Sequence, residues 1–169
     1  AADQIRASGE DRIGLLFVVG EENGSEGAAA AATLEPRGRF LINGEPTENQ
    51  LTIGQKGVLR ADLVATGRAA HSAYPAEGES AIVPLLETLQ RVQRIPLPSH
   101  PVLGDTTVNI GRLEGGRAPN VIPDHARAEL LFRTVQPHDE LRRALEACLE
   151  ARVTVTYPLE IPSVVSTAP

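Results

Sequence analysis

The stretch KGVLRADLVATG, residues 56–67, alternates apolar and polar side chains, and this alternation decides the fold of most of the chain. Successive residues of a β-strand point to opposite faces of a sheet, so a period of two predicts a strand with one buried and one wet face. Half-exposed strands of this kind are typical of antiparallel sheets. The stretch therefore predicts an antiparallel sheet.

The segments that follow alternate between helix and strand patterns. Apolar residues recur at helical spacing through residues 78–93, and strand patterns follow at 106–115 and 126–135. An amphipathic helix is predicted at 138–151 and a last strand at 153–159. The order β-α-β-β-α-β is that of the ferredoxin-like split arrangement, an antiparallel sheet with its helices on one face.

The residues before this segment have a different pattern. Residues 12–20 form a continuous apolar run, typical of a parallel strand buried on both faces. A short alanine-rich helix is predicted at 25–34, with Ser25 as its N-cap, and a second strand at 38–44. We therefore expect a βαβ unit here, and a change of domain near residues 48–54.

Composition and charge exclude several classes of function. The chain carries 22 acidic and 16 basic side chains, a net charge of −6, and has no basic block that could bind a nucleic-acid backbone. No apolar run approaches the roughly 20 residues needed to span a membrane. A single cysteine, Cys148, precludes an internal disulfide framework and fits a reducing compartment. We expect a cytoplasmic protein that binds neither nucleic acid nor membrane.

Both ends of the sequence suggest an internal piece of a longer protein. The chain contains no methionine, and its last segment, IPSVVSTAP, stops in a proline-containing turn. We therefore expect further residues of the same protein on both sides of this segment.

Three carboxylates follow the two strands predicted in the first part of the chain. Glu21 and Glu22 come directly after the first strand, and Glu45 follows the second. Ligands of open parallel sheets gather beyond the carboxyl ends of the strands, so these side chains are expected to converge. Such oxygen ligands suit zinc, manganese or magnesium. Taken alone, the same residues also fit an ordinary polar turn.

Four motifs, in order, resemble the M20 family of metallopeptidases and amidohydrolases, which includes acetylornithine deacetylase, succinyl-diaminopimelate desuccinylase, aminoacylase and glutamate carboxypeptidase. The motifs are LLFVVGEENGSEGA, INGEPTENQLTIGQKG, ATGRAAHSAYPAEGESAI and VNIGRLEGGRAPNVIPDHARAELLFR. The resemblance implies an α/β fragment of a catalytic domain, residues 1–50, followed by an α+β ferredoxin-like βαββαβ lid/dimerisation domain, residues 51–160. Residues 161–169 would begin the return to the catalytic domain.

The resemblance also implies a metal site. Glu21 matches the general base that takes a proton from the metal-bridging water, Glu22 matches a ligand of one metal, and Glu45 looks like the ligand of the other. The family site holds two zinc ions, for which cobalt or manganese could substitute. Its other ligands, including the histidines and the bridging aspartate, lie outside these 169 residues. The chain by itself is therefore expected to hold zinc poorly and to be inactive.

Further roles are implied for three residues of the lid. His71 resembles the histidine that reaches into the partner subunit's active site and stabilises the oxyanion of the tetrahedral intermediate. Asn120 and Arg133 look like the pair that binds the substrate's carboxylate. Ordinary alternatives are a solvated loop histidine, a turn asparagine and an outward-facing strand arginine. The remaining histidines match no family role and are expected at the surface: His100, His125 and His138.

Together these features predict part of a homodimeric, cytoplasmic M20-type hydrolase. Its substrate would be an N-acyl amino acid or a small peptide, cleaved at an amide bond. The alternative is a non-catalytic dimerisation or binding module.

Overall fold

Residues 2–9, 12–21, 24–35 and 38–166 are described by the computed structural model of the chain. The chain divides into two compact units, Ala1–Asn49 and Gln50–Pro169. Among the described residues, no helix has both the length and the apolar character required to cross a membrane.

The first unit contains two short helices, α1 (Ala2–Ala7) and α2 (Glu26–Ala31). Helix α2 confirms the predicted alanine-rich helix, and Ser25 precedes it as expected. The Ser25 side chain does not cap the helix, because its backbone is left-handed, with φ of 54°, whereas an N-cap needs extended backbone. Its Oγ instead donates to the carbonyl oxygen of Glu21 at 3.3 Å.

The two strands predicted on either side of α2 are not formed within the described residues. Residues 12–20 and 38–44 have no ladder partners, and the side chains of Phe17 and Phe40 are 88% and 73% exposed. A strand that is apolar on both faces needs neighbouring strands and covering helices. The described part of this unit provides no neighbouring strand, which is the physical reason for the difference.

The second unit confirms the predicted β-α-β-β-α-β order. In chain order its elements are β1 (Gly54–Gln55), β2 (Gly57–Thr66), α3 (Ile82–Val92), β3 (Ser99–His100), β4 (Gly104–Asp105), β5 (Thr107–Gly115), β6 (His125–Thr134), α4 (His138–Glu146), β7 (Val153–Ile161) and β8 (Val164–Val165). One antiparallel sheet contains β5, β6, β2 and β7 in that spatial order. Strand β1 pairs with β8 and β3 with β4 in two small ladders. The unit is the expected α+β ferredoxin-like fold.

The hydrophobic core lies on one face of this sheet. Every second residue of β2 is buried, as the alternation at residues 56–67 predicts, and β6 alternates in the same way. Helices α3 and α4 contribute most of the other buried side chains, together with Ala81 before α3 and Val153 on β7. The core comprises Leu59, Ala61, Leu63, Ala65, Ala81, Leu85, Leu89, Val92, Ala126, Ala128, Leu130, Phe132, Leu141, Leu145 and Val153.

The opposite face of the sheet carries charged side chains that pair with one another. The Arg60 guanidinium donates to Asp62 on its own strand, with Nε to Oδ1 at 2.8 Å, and to Glu129 on β6, with Nη2 to Oε2 at 2.9 Å. Arg112 on β5 approaches the same Glu129, with Nη1 to Oε1 at 3.5 Å. Paired charges cover this face without a second apolar layer, so the sheet has one packed side.

The expectation that His138 lies at the surface is wrong. Its side chain is 9% exposed, with Nε2 at 2.9 Å from Thr134 Oγ1 and Nδ1 at 3.3 Å from Glu160 Oε2. As the first residue of α4, it packs between the ends of β6 and β7.

The ring of Tyr157 on β7 has its centroid 4.4 Å from the Arg142 guanidinium carbon. Burial, followed by the charge of Glu146, raises the pKa of Tyr157.

Phe132 is expected to contribute strongly to the stability of this unit, because its side chain is fully buried in the core. The substitution Phe132→Ala should lower the free energy of unfolding by about 3–5 kcal/mol, measured by urea denaturation of the 169-residue chain. The matched control is Leu131→Ala on the outer face of the same strand, where the side chain is 37% exposed and the cost should be less than half as large. Equal costs for the two variants would contradict the assignment of the buried face.

Candidate functional site

The candidate site is built on the loop of residues 67–80, between β2 and α3. The backbone amides of Arg68 and Glu79 each donate to the other's carbonyl oxygen at 2.8 Å and close the base of the loop. Gly67 is required there, since a Cβ at this position would clash with the Glu79 carbonyl oxygen. The Arg68 guanidinium adds a bond from Nε to the Glu77 carbonyl oxygen at 2.8 Å. The loop is therefore held by its own backbone and not only by its packing.

The imidazole of His71 is oriented by a tight turn. The Tyr74 amide donates to the His71 carbonyl oxygen at 2.9 Å, and the Ala73 amide donates to His71 Nδ1 at 3.1 Å. A ring nitrogen that accepts a hydrogen bond carries no proton, so the neutral imidazole must have its proton on Nε2. The side chain is exposed. The exposed imidazole of His71 thus has Nε2–H as its hydrogen-bond donor, at the end of the sheet.

Asn120 lies beside this turn. Its carbonyl oxygen accepts from the Ser72 amide at 3.0 Å, and the next residue, Val121, forms a bridge with His71. The pairing continues with the Ile122 amide, which donates to the Ala70 carbonyl oxygen at 2.8 Å. The structure therefore brings His71 and Asn120 together, although they are 49 positions apart in the sequence.

Arg133 lies at the other end of the sheet. It faces away from the core near the end of β6, opposite Val58 and Thr107. Eight residue steps separate it from His125 at the start of that strand, which at about 3.3 Å per residue is about 26 Å. Within one copy of the chain, Asn120 and Arg133 therefore do not meet at a single carboxylate. The sequence motif contains both residues but does not show that a full strand separates them.

The carboxylates expected at the metal site belong to the first unit. Glu21 is exposed, and Glu45 is exposed with its Oε1 accepting from Asn43 Nδ2 at 3.3 Å. Glu22 lies outside the described residues. Across the part of the chain that the structure describes, no three His, Cys, Asp or Glu side chains gather as they would around a metal ion. The described donors thus do not fit a complete metal centre.

Two residues of this loop were not identified from the sequence. The Tyr74 ring is 62% exposed and its centroid is 6.0 Å from that of the imidazole. The Glu79 carboxylate pairs with Arg152, which precedes β7, and lies 3.6 Å from Arg68 Nη2. Tyr74 could have been suggested by its place in the HSAYP motif. The contact of Glu79 with Arg152 has no local signal, because 73 positions separate the two residues.

The hydrogen bond from Ala73 predicts the tautomer of His71. In the folded chain, the neutral imidazole should be mainly in its Nε2–H form, because Nδ1 is occupied as an acceptor. Long-range ¹H–¹⁵N spectra of the labelled chain distinguish the two tautomers, and the same resonance in concentrated urea provides the control. A dominant Nδ1–H form in the folded chain would contradict this arrangement.

The model of the peptidase dimerisation domain matches residues 53–156 of this chain. A probable carboxypeptidase of Aspergillus fumigatus is 43% identical over 181 residues, covering 95% of this chain and 41% of that protein. A peptidase M20 domain-containing protein of Schizosaccharomyces pombe is 42% identical, covering 81% of this chain and 34% of that protein. The chain thus spans less than half the length of these relatives. In fold, the crystal structure of aminopeptidase PepT from Bacillus cereus is similar, with a TM-score of 0.67 and 21% identity over 90% of this chain and 42% of that chain. The chain belongs to the M20 peptidase dimerisation domain family.

Proposed function

We propose that the chain is part of a metal-dependent hydrolase that cleaves an amide bond in N-acyl amino acids or small peptides. The observation that supports this most directly is the fixed Nε2–H donor of His71, at the end of a dimerisation-domain sheet. When an amide carbonyl is attacked, its oxygen becomes an oxyanion. A donor that is already oriented stabilises this charge without reorganisation during the reaction.

Substrate recognition is assigned to Asn120 and Arg133. The side-chain amide of Asn120 would donate to the substrate's carboxylate beside His71, whose turn it adjoins. The Arg133 guanidinium can bind a carboxylate through two parallel hydrogen bonds, which a lysine cannot do. Because β6 separates these residues within one copy, a substrate held by both requires two copies of the chain.

Strand β5 is the edge through which we propose that two copies pair. The opposite edge, β7, contains Pro158, which has no amide hydrogen to donate to a further strand. Strand β5 has no proline and exposes 51% of Leu113. Apolar side chains on the adjoining helix α3 are also exposed, Val83 by 53% and Leu86 by 43%.

Such a pairing would join the two ends of the sheet that the site needs. Two β5 strands related by a twofold axis run antiparallel, so Thr107 of one copy lies toward Gly115 of the other. Thr107 is the neighbour of Arg133, and Gly115 leads into the loop that contains Asn120. One copy would then supply His71 and Asn120, and the second copy Arg133. The homodimer is thus part of the proposed site.

The metal site is assigned to the rest of the protein together with residues 1–50. We propose that these residues belong to the catalytic domain, that 51–160 form the lid and that 161–169 return to the catalytic domain. Glu22 and Glu45 would bind two zinc ions, or cobalt or manganese, with ligands outside these residues. Glu21 would take a proton from the attacking water and pass it to the leaving amine. The 169-residue chain alone should then be inactive.

We propose a cytoplasmic location for the protein. The free thiol of Cys148 fits such a location.

One observation favours a second candidate, a non-catalytic dimerisation module. The family model that matches residues 53–156 is that of a dimerisation domain. A protein that contained this lid but lacked a functional metal site would still form the dimer and bind carboxylate ligands.

Hydrolysis by the longer protein that contains these residues distinguishes the two candidates. With zinc or cobalt supplied, it should hydrolyse a panel of N-acyl amino acids, and Glu21→Gln should abolish this activity. His71→Ala should lower kcat about 10²–10³-fold, because one oxyanion donor is lost. Val102→Ala, which alters an exposed side chain in the turn after β3, is the control and should leave kcat unchanged. Undiminished hydrolysis by the Glu21→Gln variant would refute the proton-transfer role.

The 169-residue chain itself should dimerise through β5. Sedimentation across a wide concentration range should show a monomer–dimer equilibrium, and Leu113→Glu should weaken it at least about tenfold by placing a charge in the apolar contact. Leu159→Glu on the opposite edge strand is the matched control, since that side chain is 39% exposed, and should have little effect. A chain that stays monomeric at all concentrations would argue against the paired site.

A further inference from the structure

We propose that Tyr74 determines the acyl specificity of the enzyme, its ring forming an apolar wall beside the acyl group of the substrate. The assignment rests on the proposed function of His71. Tyr74 follows the His71 turn and remains 62% exposed, although its ring offers a large apolar surface. Neither the packing of the core nor the charge pairing of the outer face explains why an aromatic ring is exposed at this position.

The backbone pairing places Tyr74 and Asn120 on opposite edges of the segment that contains His71. On one edge, the amides of Gly67 and Ser72 donate to the carbonyl oxygens of Asp124 and Asn120 at 2.8 and 3.0 Å. On the other edge, the carbonyl oxygen of His71 accepts from Tyr74. If Asn120 holds the carboxylate of the leaving amino acid, the other side of the scissile bond, the acyl side, faces Tyr74.

The distance between the two rings suits contact with a substrate chain. The centroids of His71 and Tyr74 are 6.0 Å apart, with a 59° angle between the ring planes. A scissile carbonyl oxygen that accepts from Nε2 lies about 3 Å from that atom. An acyl chain extending from the same carbonyl by about two to four carbons would then reach contact distance of the tyrosine ring, about 4 Å.

The backbone of Tyr74 is held in place on both sides. Pro75 follows it and begins a short 3₁₀ helix, Pro75–Glu77, in which the Glu77 amide donates to the Tyr74 carbonyl oxygen at 3.0 Å. The Arg68 and Glu79 pairing closes the loop behind this helix. Since the backbone is fixed on both sides, the point from which the ring extends is fixed relative to the His71 turn.

The test compares acyl series in the metal-loaded, full-length enzyme. For N-acetyl, N-butanoyl and N-hexanoyl derivatives of one amino acid, kcat/KM is measured in the wild type and in the Tyr74→Phe and Tyr74→Ala variants. Tyr74→Ala should reduce the preference for hexanoyl over acetyl about tenfold, because methylenes lose their apolar contact. Tyr74→Phe should keep that preference. His71→Ala should lower all three rates by the same factor and leave the preference as it is.

The outcomes separate this inference from the function on which it rests. An unchanged acyl preference in Tyr74→Ala, or an equal loss in Tyr74→Phe, would refute the apolar wall while amide hydrolysis remains. A change in preference among leaving amino acids instead of acyl groups would refute the assignment to the acyl side. Absence of hydrolysis in the wild type would refute the proposed function and this inference with it. Because Tyr74 is exposed, its variants should unfold at the wild-type temperature, which circular dichroism checks.

Discussion

The antiparallel pairing of β2 with β6 is the interaction on which the rest of the second unit depends. It runs without a register shift from Gly57 opposite Thr134 to Thr66 opposite His125. In a strand a slip of one residue moves every side chain to the other face, so this register determines which residues form the core. Beyond the strands the amide of Arg68 pairs with Glu79, and the two segments then pair again with a register shift of one residue, so that His71 lies opposite Val121.

The two faces of the sheet contribute differently. One face is covered by α3 and α4 and contains the buried apolar side chains. The other is covered by charges that neutralise one another, such as Arg60 between Asp62 and Glu129. The candidate site lies instead at the ends of the strands, where loops can present side chains on a rigid frame.

Under the proposed function, the length of β6 has a consequence of its own. The strand separates Asn120 from Arg133, two residues that a short motif places together. A family model named for dimerisation covers this same segment. A rigid strand cannot bend to bring its two ends together, whereas a second copy in the opposite direction can supply the missing end. Oligomeric state and substrate recognition would then depend on the same edge strand.

The sequence by itself determined the order of elements in the second unit and its family. Alternation at residues 56–67 and helical spacing at 78–93 are local signals, because each depends on neighbours within a few positions. The βαβ prediction for the first unit was wrong for its two strands, since strands exist only through partners that a local pattern cannot supply. For the same reason the sequence treated His138 as a surface residue, although it lies between two strand ends.

Only the tertiary structure decided how the candidate site is arranged. The proton position on His71 follows from the Ala73 amide, the approach of Asn120 from backbone pairing over 49 positions, and the distance of Arg133 from the extension of a strand. A motif records which residue types are present, but hydrogen bonds depend on angles and distances that the chain acquires only when it folds. The residues of the site could therefore be named from the sequence, while their grouping required the fold.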